Sequence, residues 1–124
     1  RRVPTAAPWT GDVGYSRAVR VGDTVYVSGT APVADDGSIA YPGDPYLQAQ
    51  RALEIIVEAL AEAGARPEHV VRTRIFVRSA KMWKEVGRAH NEALGHAKPA
   101  TTLIEVPGFI DPEILVEIEA IAVV

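Results

Sequence analysis

The stretch from Asp44 to Gly64, DPYLQAQRALEIIVEALAEAG, limits the possible folds more than any other part of the chain. Leu47, Leu53, Ile56, Leu60 and Ala63 recur at helical spacing and form one apolar stripe. Asp44 is suited to cap the start, Pro45 to occupy the first helical position, and Gly64 to end the helix. A helix with one apolar stripe must bury it against another layer. The segments on either side show what that layer is. They alternate apolar and polar residues with the period of two that marks strands.

Before the helix, AVRVGDTVYVSG reads as a hairpin turning at Gly22-Asp23, with Val19 and Val21 on one arm and Val25 and Val27 on the other. APVADDGSIAYPGD is a turn-rich link that has Asp36-Gly37 as a tight turn and a short strand expected at Ser38–Ala40. After the helix, VVRTRIFVRS reads as a strand. Val71, Thr73, Ile75 and Val77 are expected on one face, and Arg72, Arg74, Phe76 and Arg78 on the other. Ser79 is placed to cap a second helix, AKMWKEVGRAHNEALG, with a stripe of Met82, Val86, Ala89 and Ala93 and a stop at Gly95. ATTLIEV is a further strand, PGFIDPE a loop, and ILVEIEAIAVV the last strand. The order β-β-(β)-α-β-α-β-β predicts an α+β fold, one mixed β-sheet with two helices packed on one face. The opposite face is then left to solvent or to another subunit. At 124 residues the chain suits a single domain, 1–124, with the Pro-rich residues 1–13 as an irregular arm.

Composition removes several classes of function. The chain has no cysteine, hence no disulfide framework, thiolate nucleophile or cysteine-ligated zinc. His69, His90 and His96 are too few and too irregular in spacing to suggest a metal site. A net charge of −3 argues against general electrostatic binding of nucleic acid. No segment approaches a membrane span, and RRVPTAAPWT lacks the apolar core of a signal peptide. A soluble, cytoplasmic protein is expected. Neither GxGxxG nor GxxxxGK[ST] occurs, so no phosphate cradle is expected.

Glu117 and Glu119 lie two apart on the last strand and share a face. Glu105 shares a face with Thr101 and Leu103. Cross-strand pairing with arginine, or simple solvation, accounts for such acids, as does one carboxylate in a cleft serving as a proton shuttle. Periodicity does not choose between these. His90 reads as a partly buried packing or surface residue and Trp83 as packing; the arginine stripe of residues 72–78 reads as solvated or paired with glutamate ahead of binding an anionic ligand.

GYSRAVRVGDTVYVSGTAP, QAQRALEIIVEALAEAG, VVRTRIFV, KPATTLIEV and LVEIEAIAV together resemble the RidA/YjgF family in order and spacing, from Gly14 to Val124. The resemblance implies a chorismate-mutase-like fold and a trimeric barrel assembly with a ligand cleft at each subunit interface. It implies metal-free hydrolytic deamination of a reactive imine or enamine, with no organic cofactor. It matches Tyr15, Ser28 and Gly29 to the family's cleft residues, and Glu117 to the acid that places or activates water. Glu119 is then structural.

One departure is central. The family pattern Pro-Ala-Arg, followed by Ser or Thr, places an arginine against the substrate carboxylate. Here Thr101 stands at that position, in Pro99-Ala100-Thr101-Thr102, followed by Leu103. Threonine cannot replace a guanidinium fork. Gly87 also stands where an asparagine is common. Three outcomes follow. Arg74 or Arg17 supplies an anchor from another direction; the substrate lacks a carboxylate and meets Thr101 and Ser28 as neutral partners; or the trimer binds a small metabolite or partner protein without catalysis. RNA cleavage, a label some relatives carry, is disfavoured by the acidic balance and by the absence of a histidine pair and of aromatic–basic interleaving.

Overall fold

The computed structural model describes residues 1–124. Six strands form one sheet: β1 (Arg2–Val3), β2 (Ala18–Val21), β3 (Thr24–Thr30), β4 (Val70–Val77), β5 (Ala100–Glu105) and β6 (Val116–Val123). Their order is β1-β2-β3-β6-β4-β5; β4 and β5 pair in parallel, and all other neighbours are antiparallel. The sheet is therefore mixed, as expected. Helix α1 (Thr10–Val13) is a single turn in the N-terminal arm, α2 (Pro45–Glu62) connects β3 to β4, and α3 (Trp83–Leu94) connects β4 to β5. Each long helix thus crosses between parallel strands, and the last strand is inserted antiparallel between β3 and β4.

The capping signals of α2 are used as read. The Asp44 side chain accepts a hydrogen bond from the Leu47 amide, and Pro45 is the first helical residue. The buried side of α2 is wider than the stripe. Besides Leu53, Ile56 and Leu60 it includes Ala49, Ala52, Ala59 and Gln48. Ser79 caps a short 3-10 turn, Ala80–Met82, and α3 proper begins at Trp83. Val86, Ala89 and Leu94 of α3 join α2 and the sheet residues Val25, Val27, Ile75, Val77, Val116, Ile118, Ala120 and Ala122 in the main core. Burying each large aliphatic side chain contributes about 1.5–3 kcal/mol. No helix is long and apolar enough to cross a membrane.

Three local expectations are corrected. The N-terminal arm is not wholly irregular: Arg2 and Val3 pair with β2, and Val3 is buried in the core. The strand expected at Ser38–Ala40 is reduced to one bridge, Val33 to Ile39. Val71 does not share a face with Thr73. The register of β4 on β6 slips between Val70 and Arg72, which leaves Val71 47% exposed while Val70 fills the core. A bulge adds one residue to a strand and so breaks strict alternation.

The face of the sheet away from the helices carries Tyr26, Arg72, Arg74, Phe76, Glu117, Glu119, Ile121 and Val123. Tyr26 and Val123 are about half exposed.

Candidate active site

The site starts from a second bulge. Val27 pairs with Ala120 and Thr30 with Ile118, so β3 advances three residues while β6 advances two. Ser28 and Gly29 absorb the extra residue. The distortion carries the Gly29 backbone against the Glu117 side chain. A Cβ at Gly29 would lie 2.8 Å from Glu117 Oε1, closer than such atoms approach. Glycine thus makes room for the carboxyl group.

Glu117 donates and accepts no side-chain hydrogen bond within the chain and has no cation within ion-pair distance. Burial pushes its carboxyl above the ordinary range; the Arg17 charge opposes this, and the Glu119 charge adds to it. A carboxyl group shifted this way holds its proton more readily than a surface glutamate does.

Arg17 is the hub of the surrounding polar groups and is only 6% exposed. Its Nη1 donates to Ser28 Oγ at 2.9 Å, the Gly29 carbonyl at 2.9 Å and Thr30 Oγ1 at 3.0 Å. Its Nη2 donates to Thr5 Oγ1 at 3.0 Å and to Tyr15 Oη at 3.3 Å. The guanidinium is consumed by the chain itself, which removes it as a free substrate anchor. The Ser28 hydroxyl is also committed, lying 3.1 Å from both the Ser16 and Arg17 carbonyls.

Tyr15 is different. Its oxygen accepts from Trp9 Nε1 at 2.8 Å and from Arg17 Nη2. Two donors occupy its lone pairs, and its own proton has no acceptor in the chain. Tyr15 is thus an available donor, and Glu117 an available acid or base.

The other expected residues lie elsewhere. Thr101 pairs in register with Thr73 on the helix side of the sheet, and Leu103 packs against the main core. Glu117 is on the opposite face of β6. One chain therefore does not bring Thr101 and Leu103 to Glu117. Arg74 Nη1 is 3.4 Å from Glu119 Oε1 and forms a half-exposed pair with it. Arg74 neutralises Glu119, not Glu117, since Phe76 is the residue opposite Glu117. Glu105 Oε1 accepts from the Ala80 amide and so ties β5 to the turn before α3.

The sequence marks Arg17 only as one possible anchor and His90 only as a packing or surface residue. His90 Nε2 is hydrogen-bonded to the buried Thr73 hydroxyl at 2.9 Å, and its burial lowers its pKa. Alternation could flag Arg17 as a charge inside a strand-like run, but it gave no sign of five acceptors converging on it. A hollow of about 260 Å³ lies beside the hub, between the N-terminal arm and α2, but neither Glu117 nor Thr101 lines it. No three His, Asp or Glu side chains are grouped so as to hold a metal ion.

Comparison with known proteins agrees with this architecture. The family model described as Endoribonuclease L-PSP matches residues 6–124. The chain is 44% identical over 120 residues to the Streptomyces coelicolor protein SCO2049, covering 96% of this chain and 88% of that one. It is 29% identical over 108 residues to the 3-aminoacrylate deaminase RutC of Acinetobacter baylyi, covering 87% and 85%. The crystal structure of Rv2704 from Mycobacterium tuberculosis, described as a member of the YjgF/YER057c/UK114 family, superposes with a TM-score of 0.89 at 43% identity, covering 100% and 98% of the two chains.

Proposed function

The chain belongs to the YjgF/RidA family, and from that premise we propose that it hydrolyses a reactive imine or enamine metabolite to a carbonyl compound and ammonia, in a cleft between subunits of a homotrimer. The observation that carries this reading is Glu117: a carboxyl group raised by burial, free of internal partners and seated over Gly29.

The reaction adds water across a C=N bond and expels ammonia. Protonated Glu117 gives its proton to the imine nitrogen, or to the enamine carbon to form the imine. The carboxylate then takes a proton from the attacking water, and the resulting carbinolamine collapses to carbonyl and ammonia. A carboxyl group raised by burial is suited to both directions of transfer. The Tyr15 hydroxyl donates a hydrogen bond that orients the substrate, and the Arg17 cage holds Tyr15, Ser28 and Gly29 in place. Such substrates already hydrolyse in water, so positioning and one proton shuttle are enough.

The trimer and its cleft belong to the same proposal. The helix-free face exposes Tyr26 and Val123, which suits a subunit contact. Thr101 and Leu103 lie on the side of the sheet opposite Glu117, so they line a site with Glu117 only if two chains contribute. A cytoplasmic location fits the same role.

The test generates imines from a panel of amino acids with an oxidase and follows their loss against a trapping nucleophile. Native protein is expected to accelerate loss of at least one imine, and Glu117→Gln to lower that rate by about 100-fold. Full activity in Glu117→Gln would overturn the assigned role. The loss of the arginine at position 101, with Arg72 engaged by Thr102 and Arg74 by Glu119, favours a second reading, a trimer that binds a metabolite or partner protein without turning it over. It predicts saturable binding and no imine loss. RNA cleavage, which the family description names, has little support in a chain of net charge −3.

A further inference from the structure

Where the family's arginine would stand, this chain has a line of hydrogen bonds instead of a cation. Thr73 is fully buried, with its Oγ1 2.9 Å from His90 Nε2 and 2.7 Å from Thr101 Oγ1. Thr101 Oγ1 lies 3.1 Å from the Pro99 carbonyl, which can only accept. Each hydroxyl has one proton and two lone pairs. One direction satisfies all three contacts: His90 Nε2–H donates to Thr73, Thr73 to Thr101, and Thr101 to Pro99. If His90 carries its proton on Nδ1 instead, the chain reverses; Thr101 donates to Thr73, and Thr73 to His90. Burial lowers the imidazole pKa and favours the neutral ring, and a protonated ring would donate from Nε2 as in the first arrangement, so one of the two holds. In both, the Thr101 proton is committed inside the chain. Thr101 is exposed at the sheet edge, and what it offers outward is a lone pair. The nearby Arg72 does not replace the missing cation, because its Nη2 donates to Thr102 Oγ1 at 2.9 Å, from the opposite face of β5.

We propose that Thr101 is a specificity-determining hydrogen-bond acceptor, and that the ligand presents an N–H donor there, as a primary carboxamide does, in place of a carboxylate. This rests on the proposed inter-subunit cleft, in which Thr101 faces the ligand. A carboxylate would set acceptor against acceptor and leave both desolvated without a partner. A carboxamide has nearly the same size and shape and supplies the missing proton. Thr73 acts through Thr101 and is a positioning residue.

Two probes that differ only at this group decide the matter: 2-oxobutanamide and 2-oxobutanoate. Their binding to the full-length protein in its native assembly is followed by amide NMR titration. The amide is expected to bind about tenfold more tightly or better, with shifts at Thr101 and Leu103. Thr101→Val removes the acceptor and should bring the ratio towards one; Thr101→Arg should reverse it in favour of the acid. Thr73→Val leaves the Thr101 hydroxyl held by the Pro99 carbonyl alone, so that it can turn its proton outward, and should weaken the preference. Thr73→Ser, which keeps the chain, should preserve it. A purely structural Thr73 would change stability without moving the ratio. Three results would each overturn the proposal: equal or tighter binding of the acid by native protein, a ratio unmoved in Thr101→Val, or no binding of either probe. Imine turnover is scored on the same native sample. A preference for the amide without turnover of any imine supports this inference and sinks deamination. Turnover without the preference does the reverse.

Discussion

Glu117 and Gly29 form a pair in which one residue's lack of a side chain permits the other's placement. Gly29 has no positive φ and so tolerates alanine in its backbone. The added methyl group would meet only the far end of the flexible Glu117 side chain. Gly29→Ala should therefore fold normally, with a melting temperature within about 3 °C of native, while imine hydrolysis falls by tenfold or more as the carboxyl group is displaced. An active Gly29→Ala would place the chemistry away from Glu117. The raised carboxyl also bears on stability. The native state holds this proton to higher pH than the unfolded chain, whose glutamate titrates near 4.5. Between the two values the native state binds more protons, so the group's contribution is complete below the unfolded value and is lost as pH rises through the folded one. Glu117→Gln removes that loss. Its melting temperature should exceed native by about a degree or two at neutral pH, and the gap should close below pH 4.5. A scan of melting temperature against pH for both proteins checks the sign.

At the scale of elements, α2 does more than cover the sheet. Gln48 is fully buried on it. Its Nε2 donates to the Ala40 carbonyl at 3.1 Å and the Glu113 carbonyl at 2.9 Å, and its Oε1 accepts from the Leu115 amide at 2.8 Å. One side chain thus holds the loops on both flanks of the helix, including the loop that delivers β6 and Glu117. Gln48→Leu is similar in size but deprives three part-buried backbone groups of their partner. It should cost about 2–4 kcal/mol, read as a lower urea midpoint with unchanged slope. The apolar stripe of α2 and its Asp44 cap were legible because both depend on residues three or four apart. Gln48 was not, because its partners lie 8, 65 and 67 positions away. The same limit applies to the strands. Alternation placed Glu117 and Glu119 on one face, and they are there. It misplaced Val71 and gave no hint of the Ser28–Gly29 bulge, since a bulge is a property of two strands and not of one.

At the scale of the whole molecule, the helices cover one face of the sheet and leave the other with Tyr26, Phe76, Ile121 and Val123. If that face is the subunit contact, sedimentation of native protein should report three chains, and Ile121→Asp should yield folded single chains by adding a charge to a buried contact. Those single chains should lose imine hydrolysis, because Thr101 and Glu117 no longer meet. An active monomer would show that one chain carries the whole site. The sequence alone determined the two long helices, the main strands, the α+β layering and the family, because helical and strand periods, caps and turns are written in neighbouring residues. It also determined that no cation stands at position 101. Only the tertiary structure decided which polar groups are left to act. Arg17 and Ser28 are consumed by the fold, Tyr15 retains a proton, Glu117 retains a partnerless carboxyl, and the Thr101 proton is committed to the Pro99 carbonyl or to Thr73. A proton's availability depends on which acceptors the folded chain brings within about 3 Å, and those acceptors come from β-strand register and helix packing between residues far apart in the sequence.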